Sequence, residues 1–462
     1  MKRHDKTRFE ALLAWSRHHG AELHPDLEIY CDDTTKFSLR VAPDAPHGVD
    51  CGFTAVTCPL ATTLSYLNAL VDAPITLPSP CQPSAAFPTR FMQTVPPHVI
   101  GRFFLVKEYL RGKDSFWAPY IATLPQPEHL DAWALPAFWP DDDIEFLEGT
   151  NAHVAAEEMQ DNVRREFKQA RRCLKEDDFP DWQDYTQMLY KWAFCIFTSR
   201  SFRPSLILSA ATKQHVSPLL PPGCQADDFS ILQPLFDIAN HSMTAQYAWD
   251  VTTSPHACRL VCRDPYQPGE QVFNNYGTKT NSELLLAYGF LLPPTPALHN
   301  DYVHVRKRQE QGSPNDNKPK DFLISLRPAS HASSLATRAR VAMAPHSRLS
   351  FLPCFTHFEP ALIDDLTAAV ATPEQRAVLA EWEGQDSGLM GYGGAQPEEV
   401  AALVETVRGM LGGKLRYDLG RLGESGELVP VNRNQALAAE YRERCGRVLE
   451  EALGWLERGE AV

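Results

Sequence analysis

The chain has 462 residues, 44% apolar and 10% aromatic, with 44 Lys and Arg against 58 Asp and Glu for a formal charge of -14. That length accommodates two or three domains with cores of their own, and the apolar content excludes a disordered chain. The acidic balance argues against broad binding to a phosphate backbone and tolerates a basic protein partner, although solubility alone also accounts for it.

No run of 18 apolar residues occurs, and "MKRHDKTRFEALLAW" enters a helical pattern directly, without the apolar core of a secretory signal. The expectation is a soluble intracellular chain, cytoplasmic and/or nuclear, touching neither membrane nor nucleic acid directly. Eleven scattered cysteines with no C-x-x-C pair favour neither a zinc ribbon nor a disulfide framework, so most are expected to be buried reduced thiols.

In chain order, Arg8 to His19 places Phe9, Leu12, Leu13 and Trp15 at helical spacing and stops at Gly20. A strand-like, turn-rich region runs from Leu27 to about Leu70 and includes "GVDCGFTAV", Gly48 to Val56, where two glycines flank a bend. The Pro-rich "LPSPCQPSAAFPTRFMQTVPP", Leu77 to Pro97, reads as a boundary loop. From Ile100 to Arg203 the period is helical. In "DWQDYTQMLYKWAFCIFTSR", Trp182, Tyr185, Leu189, Trp192, Ala193 and Ile196 share one face, which assigns the three large aromatics to helix packing rather than to a cage.

The period then becomes two. "SILQPLFDIA" and "YAWDVTTSPHACRLVCRDPYQPGEQVFNNYG" hold short β-branched and aromatic runs broken by Pro and Gly, with a turn at "DPYQPGE", as a small antiparallel sheet requires. A polar, basic stretch, "RKRQEQGSPNDNKPKD", separates this sheet from a helical C-terminal part. Its clearest helix is "NQALAAEYRERCGRVLEEALGWLERG", with Leu437, Tyr441, Cys445, Val448, Leu449, Ala452 and Leu456 at helical spacing.

Two stretches carry a resemblance. "DIANHS", Asp237 to Ser242, followed by "GEQVFNNYGTKTNSELLLAYGF", Gly269 to Phe290, resembles the paired signature of SET-domain methyltransferases. More narrowly it is similar to the branch of the Rubisco large-subunit lysine methyltransferase, the actin-histidine methyltransferase and the fungal ribosomal-protein lysine methyltransferases. "EYLRGKDSFWAPYIATLPQP" and "WAFCIFTSRSF" are similar to the insert that interrupts the SET fold there. The resemblance covers residues 5–295 well and the C-terminal helices loosely. It implies an α+β fold, a SET-type assembly of short β-sheets interrupted by a helical insert and followed by an all-α C-terminal domain. The corresponding boundaries are 5–99 for the first part of the SET core, 100–224 for the insert, 225–295 for the second part of the core, and 310–462 for a helical, substrate-binding-like domain.

The resemblance implies S-adenosyl-L-methionine as cofactor, without a metal. Asn240 would contact the amino-acid portion of that cofactor, His241 and Phe290 would lie at its adenine, and Gly52 would belong to the methyl-donor loop. Arg200 and Asp237 would stand near the substrate lysine, with Tyr288 as a channel wall. Tyr276 is assigned to the chemistry, as the hydroxyl that orients the amine. Taken singly, each residue has a plainer reading: a capping Asn beside a satisfied core His, a packed Tyr, an Arg–Asp ion pair. One departure stands out. Where the branch has a Gly-x-Gly turn with a basic residue, this chain has Gly48 and Gly52 with three residues between and neither Arg nor Lys in the bend.

The implied reaction is methylation of a protein nitrogen, foremost the lysine ε-amine of a non-histone protein such as a ribosomal protein or translation factor. The alternatives are histidine methylation and a catalytically weak SET-like scaffold, motivated by the altered glycine loop. The C-terminal helices are expected to carry partner recognition, separable from a cofactor-binding core.

Overall fold

The computed structural model describes residues 3–32, 36–75, 84–254, 256–307, 320–335, 337, 346–384, 396–424, 426 and 428–458. The chain divides into two compact units, Met1–Ala134 with Met159–Gly277 and Leu135–Glu158 with Thr278–Val462. This partition cuts across the boundaries read from the sequence. A piece of the insert, and the whole stretch after Gly277, belong with the C-terminal helices.

The first unit opens with α1 (Arg3–His18), which stops where Gly20 takes a φ of +77° that side chains resist. Its strands are β1 (Glu22–Leu23), β2 (Leu27–Asp32), β3 (Lys36–Val41), β4 (Thr54–Pro59), β5 (Leu64–Ser65), β6 (Ser201–Phe202), β7 (Ile231–Leu232), β8 (Tyr247–Asp250), β9 (Ala257–Cys262) and β10 (Gln271–Val272). They form three small sheets, ordered β1-β4-β9-β8, β10-β3-β2 and β5-β7-β6, and every pairing is antiparallel. The two halves of the β-rich sequence are therefore interleaved: β4, from before the helical insert, lies beside β9, from after it.

Helices α2 (Pro97–Arg111), α3 (Asn151–Glu176) and α4 (Gln187–Arg200) fill the insert. Phe103 of α2 stacks on Tyr185 at 5.7 Å and meets Tyr190 of α4 at 5.2 Å. Beside this apolar seam Glu166 accepts from Arg102 at 2.7 Å, from Tyr190 Oη at 2.8 Å and sits 3.0 Å from His98, so the half-buried carboxylate is fully partnered. One sequence expectation changes. Thr186 caps α4 by accepting from the Leu189 amide, so Trp182 and Tyr185 precede the helix instead of sharing its face. Tyr185 is still core, whereas Trp182 is half-buried under the Arg171 guanidinium at 4.7 Å. Trp192 is fully buried in α4, as helix packing requires.

In the second unit, α5 (Asn281–Tyr288) precedes a hairpin of β11 (Tyr302–Lys307) and β12 (Lys320–Ser325), then α6 (Pro360–Val370), α7 (Pro373–Gly384), α8 (Glu398–Glu424) and α9 (Arg433–Arg458). α9 buries Ala438, Tyr441, Cys445, Val448, Leu449, Ala452 and Leu456, the stripe its spacing gives. The hairpin corrects the all-α expectation: the two ends of the polar stretch pair as strands, and its middle lies outside the described residues. The Pro-rich stretch from Leu77 is likewise outside them up to Pro83, while its second half forms the short helix Thr89–Thr94 and enters α2.

Of the ten described cysteines, seven are buried and all are free thiols. Among the described residues no helix is long and apolar enough to cross a membrane, and no group of three or more His, Cys, Asp or Glu is placed to hold a metal ion.

Candidate functional site

The segments carrying "DIANHS" and "NNYG" are brought together in the first unit by main-chain bonds. The Asn274 amide donates to the Asn240 carbonyl at 2.9 Å and the Ser242 amide to the Asn274 carbonyl at 2.9 Å, with His241 and Asn274 forming a parallel bridge. Tyr276 is then held from three sides. Its amide donates to His241 Nδ1 at 3.0 Å, its ring stacks on the His241 ring at 4.9 Å, and its hydroxyl donates to the Ala239 carbonyl at 3.0 Å. Because Nδ1 of His241 accepts a main-chain N–H, the neutral ring carries its proton on Nε2.

Before this lies the turn Phe236–Ile238, entered through Leu235 at φ 72°, ψ -38°. That conformation costs a residue with a Cβ about 1–3 kcal/mol and persists only where the surroundings fix it. Two long-range bonds do so here. Arg200 at the end of α4 donates to the Asp237 carbonyl at 3.0 Å and lies 3.5 Å from its Oδ2, and Tyr120 Oη donates to the same Oδ2 at 3.0 Å. Burial raises the Asp237 carboxyl above its ordinary value against the opposing pull of Arg200 and Tyr120. The other oxygen, Oδ1, is buried without a partner.

Arg200, Asp237, Asn240, His241 and Tyr276 thus form one constellation. Gly52 at φ +85° makes a turn, and its amide is committed to the Cys262 carbonyl at 2.7 Å. Gly48 has a packing role, since a Cβ there would lie 2.3 Å from the Tyr266 carbonyl oxygen. Tyr288 and Phe290 belong to the second unit, with ring centroids 6.2 Å apart on either side of Gly289, the left-handed cap of α5. Just beyond, Asn281 clamps the main chain of Leu292 in both directions at 2.9 Å, and Arg444 of α9 donates to the Leu292 carbonyl at 2.7 Å.

The sequence reading missed Tyr120, Asn274, Asn281 and Arg444. Only Asn281 left a local trace, in the Thr280–Glu283 capping box and the following Gly289 that delimit its helix.

The site also offers orphan donors. The side-chain amide nitrogens of Asn240 and Asn274 are buried and unpartnered. A buried amide donor without a protein partner suits an acceptor on a ligand, such as a carboxylate.

No family profile matches the chain. It is 28% identical over 306 residues to the ribosomal lysine N-methyltransferase set10 of Schizosaccharomyces pombe, covering 64% of this chain and 49% of that one. To the protein-lysine N-methyltransferase EFM1 of Saccharomyces cerevisiae it is 23% identical over 328 residues, covering 62% and 50%. The chain therefore spans about half the length of these relatives. Among solved structures, the SET domain of LSMT bound to lysine and AdoHcy matches with a TM-score of 0.63 at 15% identity, covering 98% of this chain and 91% of that one. The fold is that of the Rubisco LSMT SET structures, and the homologues are SET-domain methyltransferases.

Proposed function

We propose that the chain is an S-adenosylmethionine-dependent protein-lysine N-methyltransferase acting on a non-histone protein of the ribosome or translation apparatus. The observation that supports it most is Tyr276: a hydroxyl pinned by Ala239 and a ring pinned by His241, beside the unpartnered amide of Asn240.

When bound, the cofactor supplies an electrophilic methyl group on a sulfonium. The chain's residues bind and orient. Asn240 would hold the amino-acid end of the cofactor through its amide nitrogen, with His241 and Phe290 toward the adenine. Gly52 would serve the methyl-donor loop through its main-chain carbonyl, since its amide is spent on Cys262. Since the Tyr276 hydroxyl gives its proton to Ala239, its oxygen faces the substrate as an acceptor. It can take an N–H of a neutral amine and so aim the nitrogen lone pair at the methyl carbon. A phenol in that state is not a proton sink. A lysine of ordinary pKa near 10.4 would therefore lose its proton to solvent before its nitrogen could act as the nucleophile. Arg200, Asp237 and Tyr288 are proposed as substrate-facing groups.

The acidic chain, at -14, suits a basic ribosomal protein. The test is calorimetric titration of the full chain with S-adenosylmethionine, then methyl transfer to a salt-extracted ribosomal protein fraction with the modified residue located by mass spectrometry. Methyl-lysine is the expected product. A methyl group on histidine would replace lysine with histidine chemistry, and no heat at millimolar cofactor would leave a SET-like scaffold.

A further inference from the structure

Tyr120 has no part in the chemistry above, yet it is buried against the constellation, 1% exposed, within the insert-like segment Glu108 to Pro127. Its hydroxyl donates to Asp237 Oδ2 across 117 residues of chain. Asp237 lies two residues after the strained Leu235 and two before Ala239, whose carbonyl receives the Tyr276 hydroxyl. Arg200 holds the same turn by its main chain, at the Asp237 carbonyl. Side-chain and main-chain anchors therefore converge on one residue, and the next turn of backbone sets where Tyr276 points.

We propose that Tyr120 is a positioning residue: its bond to Asp237 fixes the turn Phe236–Ile238 and, through it, the Ala239 carbonyl that aims the Tyr276 hydroxyl. Its effect on turnover rests on the methyltransferase reading; its effect on the Tyr276–His241 stack does not.

The groups facing the Asp237 side chain are Tyr120, Arg200 and the buried thiol of Cys58. Tyr120 and Arg200 both favour the carboxylate, against burial, which favours the acid. Loss of the Tyr120 hydroxyl thus lets Asp237 take up its proton at a higher pH, and a turn held by the carboxylate loosens at a higher pH too.

The test uses the full chain with Tyr120→Phe, which removes one oxygen. Three readouts are taken: calorimetric affinity for S-adenosylmethionine, the ¹³Cε1 signal of His241 identified by its loss in His241→Gln, and the pH profile of methyl transfer to ribosomal protein. Affinity should stay within about twofold while kcat falls about tenfold, as for groups that orient rather than bind. The acid limb should move to higher pH, and the His241 signal should shift as its stack on Tyr276 changes. A folded Tyr120→Phe protein with an unmoved His241 signal overturns the proposal. Should Tyr120→Phe not fold, Asp237→Asn decides by the same signal: a shift supports the relay, an unmoved signal overturns it. A wild-type chain that binds no cofactor refutes the methyltransferase reading alone, and the His241 signal still decides the positioning role.

Discussion

Replacing Arg444 by Met tests how far α9 holds the segment Tyr288–Leu292 in shape. Arg444 is 6% exposed; it donates to the Leu292 carbonyl at 2.7 Å, pairs with the buried Asp301 at 3.3 Å and reaches Glu440 at 2.5 Å. Removing one member of a buried pair costs about 3–5 kcal/mol, because the other charge stays behind. Two features pull the value toward the lower end: Arg444 Nε is already unpartnered, and Asp301 keeps the Asn281 amide at 2.6 Å. About 3 kcal/mol corresponds to roughly a hundredfold in a local opening equilibrium. Hydrogen exchange of the native chain reads this directly, without assuming that two units unfold as one. Amides of 281–292 and 301–307 should lose about a hundredfold of protection in Arg444→Met, and Asp301→Asn in the same chain should restore much of it. A loss under about threefold, or one confined to α9, would show that Tyr288–Leu292 holds its shape without the tail. A protein cut at residue 310 would then be expected to keep that wall, as the sequence suggested.

Acid should destabilise the fold through His299, fully buried between Ser333 and Ser325, where burial lowers its pKa to about 4. The unfolded state then binds the extra proton, so stability present above pH 6.5 is lost as pH falls toward 4. The loss is on the order of 2–3 kcal/mol, and His299→Gln should flatten that slope in pH-dependent melting. Thiol reagents should label exposed Cys51 in the native chain and spare Cys58 and Cys262, whose burial pushes both up to about 12; native labelling of Cys58 as fast as Cys51 would contradict the packing of β4 on β9. Gly48→Ala must part the two bonds joining Val49 and Tyr266, a loss of roughly 2–3 kcal/mol, whereas Gly52→Ala meets only an unfavourable φ at about 1 kcal/mol. Thermal melting in the opposite order would refute these roles.

Most of the site's contiguous part was legible because each motif is local. "DIANH" and "NNYG" carry their own residue types, and the switch of period from helix to strand placed both beside short strands. Their mutual geometry was not, since nothing in either stretch states that Asn274 bonds the Asn240 carbonyl. Tyr120 was invisible for the same reason at greater range: a Tyr 117 residues from its acceptor looks like any core aromatic. Spacing misled once, at Trp182 and Tyr185, where a helical period ran on through Thr186, although a Thr at that point is a start signal. It also passed over β11 and β12, because two six-residue strands flanked by charge offer little apolar alternation.

The partition of the chain carries a further consequence. Tyr288 and Phe290 read as the last residues of the catalytic core, yet the fold counts them with α9. Asn281 and Arg444 bond the main chain just after them, and Asp301 ties those two side chains together. The segment after Tyr288 and Phe290 is placed by the tail's packing, so substitutions in α9 that change nothing exposed should still alter its hydrogen-exchange protection. If the C-terminal helices carry partner recognition, as the sequence leads one to expect, truncation would remove that role together with the Arg444 clamp. A truncated chain that lost turnover would not by itself locate the partner's docking surface. Only substitutions on the exposed face of that unit, leaving the Arg444 clamp intact, isolate recognition from assembly.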